Sequence, residues 1–252
     1  MSFDVAADAY DRFMGRYSRV LAPVFADFAG VAHGMRILDV GCGPGALTTE
    51  LVARTGAENV VAVDPQASFV EAAGSRHPGV TVELAPAEAL PFASGSFDSA
   101  LAQLVVHFMS DPVVGLTEMR RVTRQGGVVA TCVWDLAGGA APLSVFWEAV
   151  RSLTPDAVDE SRLAGAREGH LQELFETAGV QHIESDALEI RREHRTFEEW
   201  WEPYTGGVGP AGGHVARLSP EDQAALRDRC RELLPDAPFT ITSRAWAVRG
   251  TA

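Results

Sequence analysis

Several residues of this chain stand where their types and spacing can do chemistry. The run Asp39-Val40-Gly41-Cys42-Gly43-Pro44-Gly45 joins a carboxylate to three glycines at alternate positions. Without a Cβ, a backbone can approach a ligand to contact distance. Pro44 has a fixed φ and no N–H to lose, which suits the opening turn of a helix. The N-terminus of that helix offers free N–H groups and a partial positive charge to an anionic group. About twenty residues further on, Asp64 ends an apolar run, and its carboxylate can accept both hydroxyls of a ribose. An Asp followed by Pro65 can equally serve as a cap or turn former. At Asp64 a change to Asn, which keeps the size, is expected to be milder than a change to Ala. His107 is the candidate general base. Trp134, Trp200, Trp201 and Tyr204, with His214, can line an apolar pocket for a small molecule, although such aromatics also make plain core. No His, Asp or Glu cluster has metal-ligand spacing, so no metal is expected.

Read literally, Gly41-x-Gly43-x-x-Ala46 also satisfies the dinucleotide fingerprint. Asp39 would then lie awkwardly beside a pyrophosphate. A carboxylate there suits a ligand that carries a cation, and S-adenosylmethionine carries an ammonium, a sulfonium and a carboxylate. From about Tyr10 to Asp135 the chain resembles the class I S-adenosylmethionine-dependent methyltransferases. The resemblance implies S-adenosylmethionine as cofactor and Tyr10, Arg16, Asp39, Gly41, Cys42, Gly43, Asp64, Pro65, Gln66, Ala87, Glu88, Gln103 and Leu104 at its site. It implies that Tyr10-Asp11-Arg12-Phe13-Met14-Gly15-Arg16-Tyr17-Ser18 closes over the cofactor; the bland alternative is an amphipathic helix packed on the sheet edge. In the segment that holds adenine, Pro86 replaces the usual Asp, which leaves the Ala87 N–H and Glu88 to read the base. Three functions are weighed: a small-molecule methyltransferase acting at O, N or C, a non-catalytic S-adenosylmethionine-binding protein, and an NAD(P)-dependent oxidoreductase.

The elements that must position these groups follow from periodicity. Apolar stretches at 35–40, 59–63, 80–84, 96–105 and 128–134 read as strands, separated by helices at 46–54, from 66 on and at 112–123. Strand and helix in alternation imply a parallel, doubly wound α/β sheet of Rossmann-like type. Further helices are predicted at 143–153 and 169–178, with a polar loop at 154–167 between them. A strand at 180–192 and a last strand at 239–248, the latter antiparallel by the resemblance, complete the sheet. Between them the insert 197–234 holds the aromatics, a glycine-rich loop at 206–213 and a helix from Pro220 capped by Ser219. This organisation predicts one domain: an N-terminal helical cap (1–30, with two short helices broken at Gly15 and Pro23), a cofactor core (31–136) and a lid (197–234).

The 252 residues suffice for one domain with an ample core. A formal net charge of −13 argues against a nucleic-acid or membrane-surface binder, since phosphate contacts need Lys or Arg. Every basic side chain apart from histidine is Arg; there is no Lys. Cys42, Cys132 and Cys230 are odd in number and widely spaced, which suggests neither a disulfide framework nor a zinc site. Residues 1–4 lack the pattern of a leader, and no apolar run reaches membrane length. A cytoplasmic location and a small-molecule methyl acceptor are the expectations; the sequence is silent on oligomeric state.

Overall fold

The computed structural model describes residues 7–252. The start of the amphipathic reading at Phe3, and the residues 1–4 read for a leader, lie outside them. The chain opens with α1 (Ala7–Tyr10), a π-helical turn (Asp11–Gly15) and α2 (Arg16–Phe28), which follow one another without a break. Two short helices broken at Gly15 and Pro23 were expected, yet Pro23 lies inside α2. The fully buried Tyr17, Leu21 and Phe25 hold α2 on the sheet, and this outweighs the roughly 3 kcal/mol that an internal proline costs.

The core then follows the alternation: β1 (Ile37–Val40), α3 (Ala46–Thr55), β2 (Val60–Asp64), α4 (Ala67–Arg76), β3 (Thr81–Leu84), β4 (Phe97–Gln103), a 3-10 turn (Val106–Phe108), α5 (Pro112–Val122) and β5 (Thr123–Trp134). Asp111 caps α5 by accepting the N–H groups of Val113 and Val114, both at 3.1 Å. β5 starts at Thr123, not at 128, because Thr123 pairs with Phe97 of β4 across a register shift, and on the other side Gly126 N donates to Ala252 O (3.1 Å) and Ala252 N to Gly127 O (3.0 Å). The remaining elements are α6 (Ser144–Leu153), α7 (His170–Thr177), β6 (Gln181–His194), α8 (Phe197–Trp201), α9 (Gly209–Ala216), α10 (Pro220–Leu233) and β7 (Phe239–Thr251).

The seven strands form one sheet in the order β3-β2-β1-β4-β5-β7-β6. β7 pairs antiparallel with both β5 and β6, and the other pairings are parallel. Connections leave β1 toward β2 and β3, then reverse to β4 and β5, so the switch point lies between β1 and β4. In open α/β sheets the ligand crevice lies there, beyond the carboxyl ends of the strands. Leu38, Val40, Leu116, Met119 and Phe175 fill one face of the sheet, and Ile37, Tyr17, Leu21, Phe25 and Leu51 the other.

The glycine-rich segment 206–213 is not the loop read from composition. Gly209–Ala216 is helical, with Pro210 in its first turn and Ala211 and Val215 buried. Packing against Tyr204 and its neighbours overrides the low helix propensity of glycine. A third apolar cluster, built by Phe146, Trp147, Trp200, Trp201, Tyr204 and Leu226, welds α6 to the insert.

Candidate cofactor and acceptor cavities

The turn after β1 is tied to β2. Gly41 N and Cys42 N both donate to Val63 O, at 2.8 and 3.0 Å. Gly41 has φ +70°, and a Cβ there would stand 2.5 Å from Cγ1 of Val105, so the two sides of the switch point touch. Gly43 has φ +53°, and a Cβ there would enter open space with nothing within 4 Å. Positive φ at both positions favours glycine. The second explains what the space is for, since it opens into a cavity.

Asp64 holds the rim of this turn. Its Oδ2 accepts the Gly43 N–H at 2.9 Å and its Oδ1 the Gln66 N–H at 2.8 Å. Each carboxylate oxygen retains a lone pair for a ligand hydroxyl. Burial pushes the Asp64 carboxyl up to about 6 against the pull of those two N–H groups. Asp39 lies deeper: it is 1% exposed, and its Oδ2 accepts the Thr48 hydroxyl at 2.6 Å. Burial, with the Asp64 charge adding to it, pushes Asp39 up to about 7.

A cavity of about 360 Å³ spreads over this end of the sheet. Of the residues the sequence nominates, Tyr10, Gly41, Gly43, Asp64, Pro65, Gln66, Gln103 and Leu104 line it, and His107 does too. Gln103 Nε2 donates to Ser18 O at 3.0 Å, which pins α2 to β4, while its Oε1 is buried with no partner. Leu104 adopts φ +63°, a strained value for a side chain of its size, where the chain leaves β4.

The other nominated residues lie off this wall. Asp39 and Cys42 are buried behind the turn. Arg16 is turned away: its guanidinium donates to the carbonyls of Glu199 (2.7 Å) and Trp200 (3.1 Å) and ties α2 to α8. Ala87 is buried off the wall, and Glu88 acts at one remove. Its Oε1 accepts the N–H groups of Ser110 (2.6 Å) and Asp111 (3.2 Å), holding in place the segment from which Ser110 lines the cavity. Phe69, Phe108 and Met109 also line it and were missed, because isolated apolar residues after strand ends carry no local signal.

A second, narrower cavity of about 40 Å³ abuts the first, with Tyr10, Leu104, His107 and Phe108 in both walls. Its remaining wall is mainly apolar, including Phe13, Met14, Leu143 and Val208, together with Trp134 and Glu160. The insert contributes Val208, Gly209 and Pro210, not the predicted aromatics. Trp200 and Tyr204 are 0% exposed and Trp201 6%. Tyr204 stacks on Phe146 with centroids 4.6 Å apart, and Phe13 meets Tyr204 edge-on at 5.2 Å. These rings are core because they close the joint between the insert and α6. His214 rests edge-on against Phe146 and Trp147, outside both cavities. His107 is 9% exposed, and burial pushes its imidazole down to about 3, so it is neutral at physiological pH. That makes it a hydrogen-bond acceptor and a feeble base. His194, by contrast, is a core residue whose Nε2 meets the Tyr17 hydroxyl at 3.0 Å.

Residues 38–131 match the family model described as a methyltransferase domain. A malonyl-[acyl-carrier protein] O-methyltransferase of Erwinia billingiae is 32% identical over 62% of this chain and 64% of that protein. A ubiquinone/menaquinone biosynthesis C-methyltransferase of a Geobacter species is 38% identical over 40% of this chain and 46% of that protein. The matches thus span from about half to just under two thirds of the length of these curated relatives. The fold is shared with the YcgJ protein of Bacillus subtilis, with TM-score 0.59, 20% identity, and 93% of this chain and 97% of that one covered. The matched residues contain the glycine turn, Asp64 and the strands that meet at the switch point, so the stretch that carries the larger cavity is the stretch that matches a methyltransferase domain.

Proposed function

We propose that this protein transfers the methyl group of S-adenosylmethionine to an O, N or C atom of a small metabolite, in the cytoplasm. The observation that carries this reading is the pair of abutting cavities: one at the switch point, rimmed by Gly43 and Asp64, and one mainly apolar, with four walls in common. The larger cavity fits the cofactor. Gly43 leaves room where a Cβ would intrude, Asp64 keeps two acceptor sites for ribose hydroxyls, and the orphaned Gln103 Oε1 awaits a donor. When bound, S-adenosylmethionine supplies an activated methyl group for in-line displacement.

The chain's own residues then have three tasks. Gly43, Asp64, Gln66 and Gln103 fix the cofactor's orientation. The mainly apolar wall of the smaller cavity excludes water and aligns the acceptor, which by itself can supply much of the rate. His107, neutral and in both walls, accepts a hydrogen bond from the acceptor and so orients its nucleophilic atom. With its basicity depressed by burial, it does not keep the proton that leaves, which passes to water. The insert acts as a cover for the acceptor through Val208, Gly209 and Pro210.

A fold of this type can bind the cofactor without transferring methyl, and the two readings part on one experiment. Calorimetry with S-adenosylmethionine and with NAD identifies the ligand of the glycine turn. A metabolite mixture incubated with the loaded protein is then searched by mass spectrometry for a gain of one methylene mass. Binding of NAD in preference to S-adenosylmethionine would overturn the cofactor assignment. Binding of S-adenosylmethionine with no methylated product from any mixture would leave a cofactor-binding protein instead of a transferase.

A further inference from the structure

We infer that Glu160 anchors a positively charged amine of the methyl acceptor, at the end of the molecule remote from the atom that is methylated. The inference rests on the methyltransferase reading above and narrows its substrate to small, otherwise apolar amines.

Glu160 sits in a stretch of polar, largely exposed turns between α6 and α7, yet it is only 5% exposed. It lines the smaller cavity, and on its other side a pocket of about 20 Å³ shared with Trp147, Arg151 and Asp159. One oxygen, Oε2, accepts the Trp147 indole N–H at 2.9 Å. Among the described residues no cation forms an ion pair with it. The nearby guanidinium, that of Arg151, is taken by the neighbouring Asp159, whose own charge bears on Glu160 unfavourably. Burial accordingly pushes the Glu160 carboxyl up to about 7.

The chain treats another buried carboxylate differently. Asp135 has a side chain 1% exposed, and Arg244 grips its Oδ2 with Nη2 at 2.7 Å and Nε at 3.1 Å, while Gly138 N caps its Oδ1 at 2.7 Å. A buried charge is costly unless it is paired, and at Asp135 the protein provides the partner. At Glu160 it provides one neutral donor and a cavity. A cation brought by the ligand completes that set.

The wall around Glu160 suits the rest of such a ligand. Phe13, Met14, Leu136, Leu143 and Val208 are apolar, and His107 is neutral, so neither contact repels a cation. The cavity's volume, about 40 Å³, has room for about three waters and takes a slender group. Polarity along the acceptor is set by which walls are shared. Tyr10, Leu104, His107 and Phe108 face the cofactor cavity as well; Glu160 does not. The nucleophilic atom therefore belongs at the shared walls and the amine at Glu160.

The test uses the full chain saturated with S-adenosylhomocysteine, after its binding has been measured. The probes are phenylalkylamines of graded length and their alkylbenzene isosteres, with a methyl group in place of the ammonium. Binding is read by tryptophan fluorescence. At least one amine is expected to bind tenfold or more tightly than its isostere. Glu160→Gln, which keeps the shape and the indole hydrogen bond, should bring that ratio down to threefold or less with cofactor affinity unchanged. Trp147→Phe, which keeps the carboxyl, and Glu148→Gln, an exposed acid on α6, should retain the preference. Isosteres that bind as well as the amines, no amine that binds, or a preference that survives Glu160→Gln would each overturn the inference while leaving the cofactor site standing. Failure of the cofactor to bind at the outset would instead strike the reading beneath it.

Discussion

Removing the Asp64 carboxylate should separate cofactor affinity from stability. In the folded protein its two oxygens hold the N–H groups of Gly43 and Gln66 at 2.9 and 2.8 Å. Two lone pairs remain for the ribose hydroxyls, and each hydrogen bond to a charged group contributes about 1.5–3 kcal/mol. Asp64→Ala should therefore raise the dissociation constant of S-adenosylmethionine at least ten- to hundredfold, the equivalent of one such bond. Stability should move much less. Burial raises the carboxyl from 3.8 to about 6, so holding it ionised at pH 8 costs on the order of 3 kcal/mol. The variant sheds that cost, and the freed N–H groups face the cavity, where water can reach them. Asp64→Asn, the milder change by sequence reasoning, should be nearly as damaging. Its amide oxygen can accept from Gly43 or Gln66, but its NH₂ then points at the other N–H, donor against donor. Calorimetry gives the affinities and thermal unfolding the stabilities. An unchanged dissociation constant in Asp64→Ala would refute the reasoning. Wild-type affinity in Asp64→Asn would show that the turn does not depend on both oxygens.

Other expectations follow from the same geometry. Asp39→Asn keeps the Thr48 contact but removes a carboxyl raised from 3.8 to about 7. Wild-type stability relative to the variant should be unaffected below pH 4, fall as pH rises toward 7 because only the unfolded state ionises, and level off above it. The full difference is on the order of 4 kcal/mol; a pH-independent difference in urea midpoints would contradict the buried, unpaired carboxyl. Gly43→Ala, in open space at φ +53°, should cost roughly 1–2 kcal/mol of stability and weaken cofactor binding, whereas Gly41→Ala, driven into Val105, should show mainly as a lower melting temperature. Tyr204→Ala should cost about 3–5 kcal/mol of stability, since the ring is fully buried, while Pro210→Ala should alter acceptor binding with little change in melting. Equal melting temperatures for those two variants would contradict the division of the insert into core and cavity wall.

Legibility in the sequence tracks how local each cause is. The Gly41–Gly45 turn and the end of β2 at Asp64 were readable because positive φ, helix start and strand end are written in adjacent residues. The side on which Asp39 lies was also readable in principle. Strand alternation puts Leu38 and Val40 on one face and Ile37 with Asp39 on the other, beneath α3, where Thr48 meets the carboxylate. Arg16 and Glu88 were nominated by motif position, but their side chains go to partners far along the chain, the carbonyls of Glu199 and Trp200 and the N–H groups of Ser110 and Asp111. Glu160 had no signal at all. An acid in a polar stretch reads as solvated, and its one hydrogen-bond donor, the indole of Trp147, lies on a different element. The aromatic cluster at 200–204 failed for the opposite reason: composition does not say which side of a helix meets the core.

In the proposed arrangement the insert is held too firmly to be the part that yields first. Trp200 and Tyr204 are fully buried, and Arg16 clasps two carbonyls of α8. Local opening is cheapest where fewest apolar contacts and buried hydrogen bonds must break. By that measure the lighter part of the wall is α1, a single turn with no fully buried residue, held through the packing of Ala9 and Tyr10 on the aromatic cluster. Its Asp8 meets Arg76 at 3.6 Å, with the Asp8 side chain 81% exposed, and exposed ion pairs contribute at most about 1 kcal/mol. Tyr10 closes α1 and lies in both cavity walls, with its ring edge-on to Phe69 at 5.4 Å. Below it, α2 is pinned by Gln103 Nε2 on the Ser18 carbonyl, so movement of α1 need not disturb the sheet. α1 thus rests through Ala9 and Tyr10 on the aromatic cluster that holds the insert, and Tyr10 itself forms one of the walls that the two cavities share.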